Sequence, residues 1–191
     1  GEEIDLTPPW PRISVKDALV QFGGMTKEAL ENHSEALAYA QKAGCEVKDS
    51  DSLGKILMAI FDELVEKKLI QPTFVTQYPV EVSPLSRRSS TDGNFTDRFE
   101  LYIYGKEIAN AFSELNDPAD QRERFEQQLK ERETGDEEAH EMDEDYIKTL
   151  ECAMPPTAGE GIGIDRLVML FTNSASIRDV ILFPLLRTKA E

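Results

Sequence analysis

Three carboxylates and an amide stand in a stretch that otherwise reads as β-strand. DRFELYIYGKEIANAFSELND, residues 97–117, carries Glu100, Glu107, Glu114 and Asn110 among Phe, Ile, Leu and Tyr. Acids placed in an apolar ribbon are candidates for holding a cation, or a phosphate chain that carries cations. Tyr104-Gly105-Lys106-Glu107 suits a two-residue turn with Gly105 at the first central position, the type II′ form. That register sets Tyr104 opposite Glu107, Tyr102 opposite Ala109 and Glu100 opposite Ala111. Opposed residues share a face, so Glu100 and Glu107 project together beside two alanines as a shallow acidic floor. Their offset is about four residues of strand, roughly 13 Å, too far to clasp one ion in a regular hairpin. A wet face with half-exposed glutamates fits the same spacing.

Asn110, Phe112 and Glu114 alternate onto the other face of a regular strand. An apolar wall, an amide and an acid suit an amphipathic cation, whose stem packs on the ring while its ammonium pairs with the carboxylate. A core Phe, a satisfied Asn and a strand-end Glu fit equally well. The two groups serve one pocket only if a bulge near Ile108 or Ala109 turns the strand.

Further along, TAGEGIGIDRLVML places Gly159, Gly161 and Gly163 before a helix that opens with Asp165 and Arg166. Glycines let a ligand approach the backbone, and the planar fork of Arg166 suits a phosphate. No Gly-Lys-Ser/Thr follows, so this is not a Walker loop, and an antiparallel setting does not suit a dinucleotide fingerprint. An ordinary helix arginine reads the same way. Cys45 and Cys152 lie far apart without metal-ligand spacing and read as reduced thiols. His33 and His140 read as surface residues, and no Ser/His or Cys/His nucleophile constellation is present.

The elements that must position these groups follow from periodicity and punctuation. DSLGKILMAIFDELVEKKL gives the strongest helix, with Leu53, Ile56, Leu57, Ile60, Phe61, Leu64 and Val65 on one apolar face. A helix over 26–43 starts at Thr26 as N-cap and stops at Gly44. An earlier one begins near Ser14, after a short strand and the prolines at 8, 9 and 11. Residues 73–78 suit a strand bounded by prolines. Asp117-Pro118 opens a helix to about 134, and another runs over about 143–154 to Pro155-Pro156. Between them lies an acidic connector that reads as a solvated turn. The chain closes with a strand, a helix from about Asp165 and a β-like end. Together these imply an α+β fold, an antiparallel sheet flanked by helices.

With 191 residues the chain can bury a substantial core, and a net charge of −16 excludes a surface built to grip nucleic acid all over. A local contact with an RNA end stays open. No apolar run approaches membrane-spanning length. The chain opens on Gly1 rather than Met, as an excised piece would.

Taken in order, LIQPTFVTQYPVEVSPLSRR, DRFELYIYGKEIANAFSELNDPADQRERF, DEDYIKTLECAMPPTAG and GIGIDRLVMLFTNSASIRDVILFPLLR resemble the C-terminal part of bacterial class II lysyl-tRNA synthetases. The resemblance is dense over 53–187 and looser before it. It implies an incomplete class II catalytic domain, with 1–50 as a peripheral strand and helices and 51–191 as the sheet core with the third signature motif. The implied activity makes lysyl-adenylate from lysine, ATP and Mg2+, then passes lysine to the acceptor end of tRNA(Lys), in a cytoplasmic homodimer. By motif position, Glu100 and Glu107 resemble the magnesium carboxylates at the ATP phosphates. Asn110, Phe112, Glu114, Gly161 and Gly163 resemble the lysine pocket. Arg166 resembles the catalytic arginine of the third motif, holding the γ-phosphate end of ATP.

The pattern is also departed from. The dimer-forming motif, the motif with the α-phosphate arginine and the anticodon-binding barrel are not found. Glu160 stands where the family usually has an apolar residue, and either repels the nucleotide or faces away. The expectation is therefore a C-terminal portion of a lysine–tRNA ligase catalytic domain that does not charge tRNA alone. Alternatives are an elongation-factor-P lysine ligase, a non-catalytic paralogue that keeps the pocket, or an aspartyl- or asparaginyl-tRNA synthetase, against which Glu114 argues by favouring a cationic substrate.

Overall fold

The computed structural model describes residues 2–133 and 142–185. Most of the acidic connector, His140 and the last residues of the expected β-like end lie outside them. Five strands form one sheet in chain order: β1 (Arg12–Ser14), β2 (Thr73–Thr76), β3 (Arg98–Ile103), β4 (Lys106–Ser113) and β5 (Ala158–Ile162). From β2 to β5 every pairing is antiparallel, as expected, while β1 joins the edge of β2 in parallel. The sheet is mixed, open and flanked by helices, an α+β arrangement.

The helices are α1 (Val15–Ala18), α2 (His33–Ala43), α3 (Leu53–Leu64), α4 (Pro118–Glu133), α5 (Glu144–Glu151) and α6 (Ile164–Thr172). On α3 the apolar stripe is buried as its spacing requires: Ile56, Leu57, Ile60 and Phe61 are closed off, joined by Val65 just beyond. They pack with α1, α2, Val75, Tyr78 and Tyr102 into the larger core. A smaller core forms on the opposite sheet face from Leu101, Ile103, Ile108 and Ala109, against Leu167 and Leu170 of α6. The site lies on the α3 face of the sheet, with α6 reaching it from the edge.

Several boundaries differ from expectation. The helix expected over 26–43 is broken, because the Asn32 side chain accepts from the amides of Ser34 and Glu35 and caps α2 there. Gly44 ends α2 with φ 81°, the left-handed conformation a glycine adopts freely. Asp117 caps α4, accepting from the amides of Ala119 and Asp120. Among the described residues the chain's close holds a single 3-10 turn, Ile177–Asp179, and no strand after β5. No described helix is long and apolar enough to cross a membrane. Cys45 and Cys152 are free thiols.

Candidate active site

The turn between β3 and β4 sets the geometry, and it is not the one expected. Ile103 pairs with Lys106, which leaves Tyr104 and Gly105 as the loop. Their φ values, 55° and 62°, are both left-handed, so the turn is of the I′ kind rather than II′. Tyr104 tolerates this because its amide donates to the Ile70 carbonyl while Gly105 donates to Leu69, both at 2.9 Å. A side chain on Gly105 would meet the Lys67 Cα at 3.2 Å.

Beyond the turn Tyr102 pairs with Glu107, but Leu101 pairs with Ala109 and Glu100 with Asn110. Ile108 is the extra residue, a bulge at one of the two positions where a shared pocket requires one. It turns the strand so that Glu107 and Asn110, an odd number of residues apart, project from the same face. Glu100 and Glu107 now differ by two residues along β3, ~7 Å, half the regular offset. The alanine floor is overturned by the same shift. Ala109 and Ala111 oppose Leu101 and Phe99 and belong to the other face.

Arg98, Glu100 and Tyr102 thus share a face with Glu107, Asn110 and Phe112. The Glu100 carboxylate, 7% exposed, is almost fully engaged. Its Oε2 accepts from the hydroxyls of Tyr78 (2.7 Å) and Tyr102 (2.6 Å), and its Oε1 from Arg98 (2.6 Å). Burial first, then the Glu100 charge, raise both phenols and keep them protonated donors. Arg98 also donates to Asn110 Oδ1 at 3.1 Å. Glu107 is more open. Arg166 reaches it from α6, donating to its carbonyl at 2.7 Å and its carboxylate at 3.2 Å. The bulge fixes that approach as well, because the Ile108 carbonyl accepts from the Gly163 amide at 2.8 Å, immediately before α6.

These groups wall two adjoining hollows. One, of ≈ 910 Å³, runs between Glu100, Glu107, Arg166 and the α3 side of the sheet. The other, of ≈ 390 Å³, lies between Glu107, Asn110, Gly161, Gly163 and Arg166. Asp62 of α3 and Glu66 face the larger hollow. Partial burial first, then Glu66 and Glu100, push the Asp62 carboxyl up to about 6, although part of its side chain meets solvent. Glu66 is raised too, by burial and then by Glu100, with Arg166 opposing.

On β5, Gly161 pairs with Asn110 and Gly159 with Phe112, so these glycines lie on the site face. A Cβ on Gly159 would sit 2.5 Å from Glu114 Oε1, which shows that the carboxyl lies over that glycine. At Gly161 and Gly163 an added Cβ meets no atom closer than 3.5 Å, so their surroundings leave room above the backbone. Burial raises the Glu114 carboxyl. Phe112 and Glu114 continue the same face, yet neither walls the two hollows. Glu160 opposes Ala111 and points to the back of the sheet, which resolves its role: it faces away.

Alternation along β3 alone could have found Arg98, two residues before Glu100. Nothing in sequence spacing links Tyr78, Asp62 or Glu66 to the hairpin. No group of three or more His, Cys, Asp or Glu among the described residues is arranged to hold an ion by itself. Two nearby carboxylates, Glu100 and the more open Glu107, could hold a hard cation only together with ligands from outside the protein.

Comparison with known proteins identifies the family. The family described as tRNA synthetases class II (D, K and N) matches residues 1–187. The lysine–tRNA ligase of Pelotomaculum thermopropionicum is 59% identical over 191 residues, 99% of the chain and 38% of that protein. That of Thermoanaerobacter pseudethanolicus is 57% identical over 189 residues, 99% of the chain and 38% of the relative. The Bacillus subtilis lysine–tRNA ligase is 55% identical over 188 residues, 98% of the chain and again 38% of the relative. The chain therefore spans well under half the length of these relatives.

Proposed function

The chain belongs to the class II tRNA synthetases of the D, K and N group, and from that premise we propose that it supplies the lysine and ATP–Mg2+ cleft of a lysine–tRNA ligase. The observation that carries this reading is the Ile108 bulge, which turns Glu107 onto the face of Glu100 and Asn110 with Arg166 in contact. Names of the similar proteins support the amino acid chosen.

In this reading lysine lies along β4 and β5. Its ammonium meets Glu114, its alkyl stem packs on Phe112, and its polar head passes Asn110 above Gly161 and Gly163. The lysine carboxylate oxygen attacks the α-phosphorus of ATP, and the bond from that phosphorus to the departing pyrophosphate breaks. No side-chain nucleophile is needed; orientation and charge neutralisation lower the barrier. Arg166 exchanges its half-exposed partner Glu107 for the γ-phosphate, a small loss because exposed ion pairs are worth little. Glu107 and the remaining lone pair of Glu100 would hold magnesium, which supplies neutralisation of phosphate charge. A terminal ribose hydroxyl of tRNA(Lys) then attacks the carbonyl of the lysyl-adenylate, the acyl–phosphate bond breaks and AMP departs with the hydroxyl proton lost to solvent, in a cytoplasmic homodimer whose catalytic domain includes this chain as its C-terminal portion.

Calorimetry on the intact protein tests the pocket. Glu114→Gln should weaken lysine binding by about 10–100-fold, the worth of a charged hydrogen bond, and leave ATP–Mg2+ binding in place. Gly159→Ala should do the same more mildly, by displacing the Glu114 carboxyl from its seat. Unchanged lysine affinity in both, or equal loss of lysine and ATP, would refute the assignment.

A further inference from the structure

One guanidinium touches both halves of the site. Arg98, whose side chain is 17% exposed, donates from Nε to Asn110 Oδ1 and from Nη2 to Glu100 Oε1. Its third nitrogen, Nη1, anchors on the Val82 carbonyl (3.1 Å) and Ser83 Oγ (2.9 Å), and its plane lies 4.6 Å from the Tyr78 ring centre. Each of its three nitrogens is therefore engaged by the protein, through four of its five N–H groups.

The chemistry of those donors fixes more than a contact. Arginine has no acceptor, so Asn110 must turn its oxygen to Arg98 and its NH2 group away from it. The flipped amide would set donors against donors. Asn110 is thereby committed as a donor toward the cleft, and the group resting on it must be an acceptor. The same guanidinium holds Glu100 Oε1, while two tyrosines hold Oε2, so the direction of the remaining Glu100 lone pair is set as well.

We propose that Arg98 is a positioning residue that couples the two halves of the cleft, fixing Asn110 as a donor to the carboxylate of the amino-acid substrate while orienting Glu100 toward the metal-bearing nucleotide. This rests on the lysine and ATP reading above. Lysine in place of Arg98 keeps the charge but loses the planar fork, so it cannot serve Asn110, Glu100 and Ser83 together.

The test uses the intact protein with Arg98→Lys and with Ser83→Ala, which removes one anchor of the guanidinium and touches neither Asn110 nor Glu100. Calorimetry without nucleotide or metal compares lysine with cadaverine, its analogue lacking the carboxylate. Arg98→Lys should weaken lysine about 10–100-fold, the usual cost of losing a supporting shell, and leave cadaverine unchanged. In an Asn110→Ala background Arg98→Lys should weaken lysine no further. The magnesium concentration for half-maximal lysine-dependent exchange of pyrophosphate into ATP should rise. Ser83→Ala should show the same selectivity at smaller size, and it decides the matter if Arg98→Lys does not fold. Equal loss of lysine and cadaverine, or variants that match the wild type, overturns the coupling role. A wild type that ignores lysine overturns the substrate reading, and the coupling with it.

Discussion

At Asp62 the acidity of the cleft is open to measurement. Its folded carboxyl titrates near 6 against an ordinary 3.8, so the folded state binds a proton more tightly than the unfolded chain. The associated stability is whole below the ordinary value and is lost as pH rises through the folded one. Thermal midpoints of wild type and Asp62→Asn, compared from about pH 4 to about pH 7, should diverge in favour of the variant as pH rises. A constant difference across that range would remove Asp62 from the cleft's charge balance. The family resemblance set Glu107 and Arg166 at one nucleotide site, whereas their contact with each other is seen only in the fold. It could not reveal Asp62, nor the Tyr78 hydroxyl on Glu100, because such contacts join separate segments through space and leave no period in the chain.

Among elements, the β3–β4 hairpin depends on one surplus residue. Ile108 is 3% exposed, fills the smaller core and gives its carbonyl to Gly163. Deleting it removes a buried aliphatic side chain and the anchor at the start of α6. Urea denaturation should show a loss of about 2–5 kcal/mol, the range of a large core truncation. A loss well below that range would mean the bulge is incidental to the fold. The need for a bulge was legible, since residues 107 and 110 cannot share a face without one. The turn type was not. Glycine serves either a I′ or a II′ turn, and the choice here rests on Tyr104 accepting a left-handed backbone that Ile70 secures from outside the hairpin. The α3 stripe, Gly44 and Asp117 were legible because their signals are local.

The whole molecule carries an uncovered flank. Phe171, Leu182 and Phe183 are 68%, 87% and 92% exposed, Ile162 and Ile164 are open as well, and β5 has no partner beyond it among the described residues. Apolar area of this kind marks a surface meant to be covered. The chain by itself should bind an apolar-sensing dye and elute larger as its concentration rises, checked by fluorescence and by light scattering. A dye-silent monomer would show that the flank closes on its own. The α+β class was legible from element order, whereas the parallel docking of β1 on β2 was not, since the two strands are far apart in the chain. The back-facing carboxylate of Glu160 lies on that open strand. Like charges meeting rim to rim repel, which discourages copies from stacking into fibrils. A charge turned away from the cleft would therefore act as a gatekeeper, steering self-adhesion of the chain toward its exposed apolar side chains instead of its unpaired backbone.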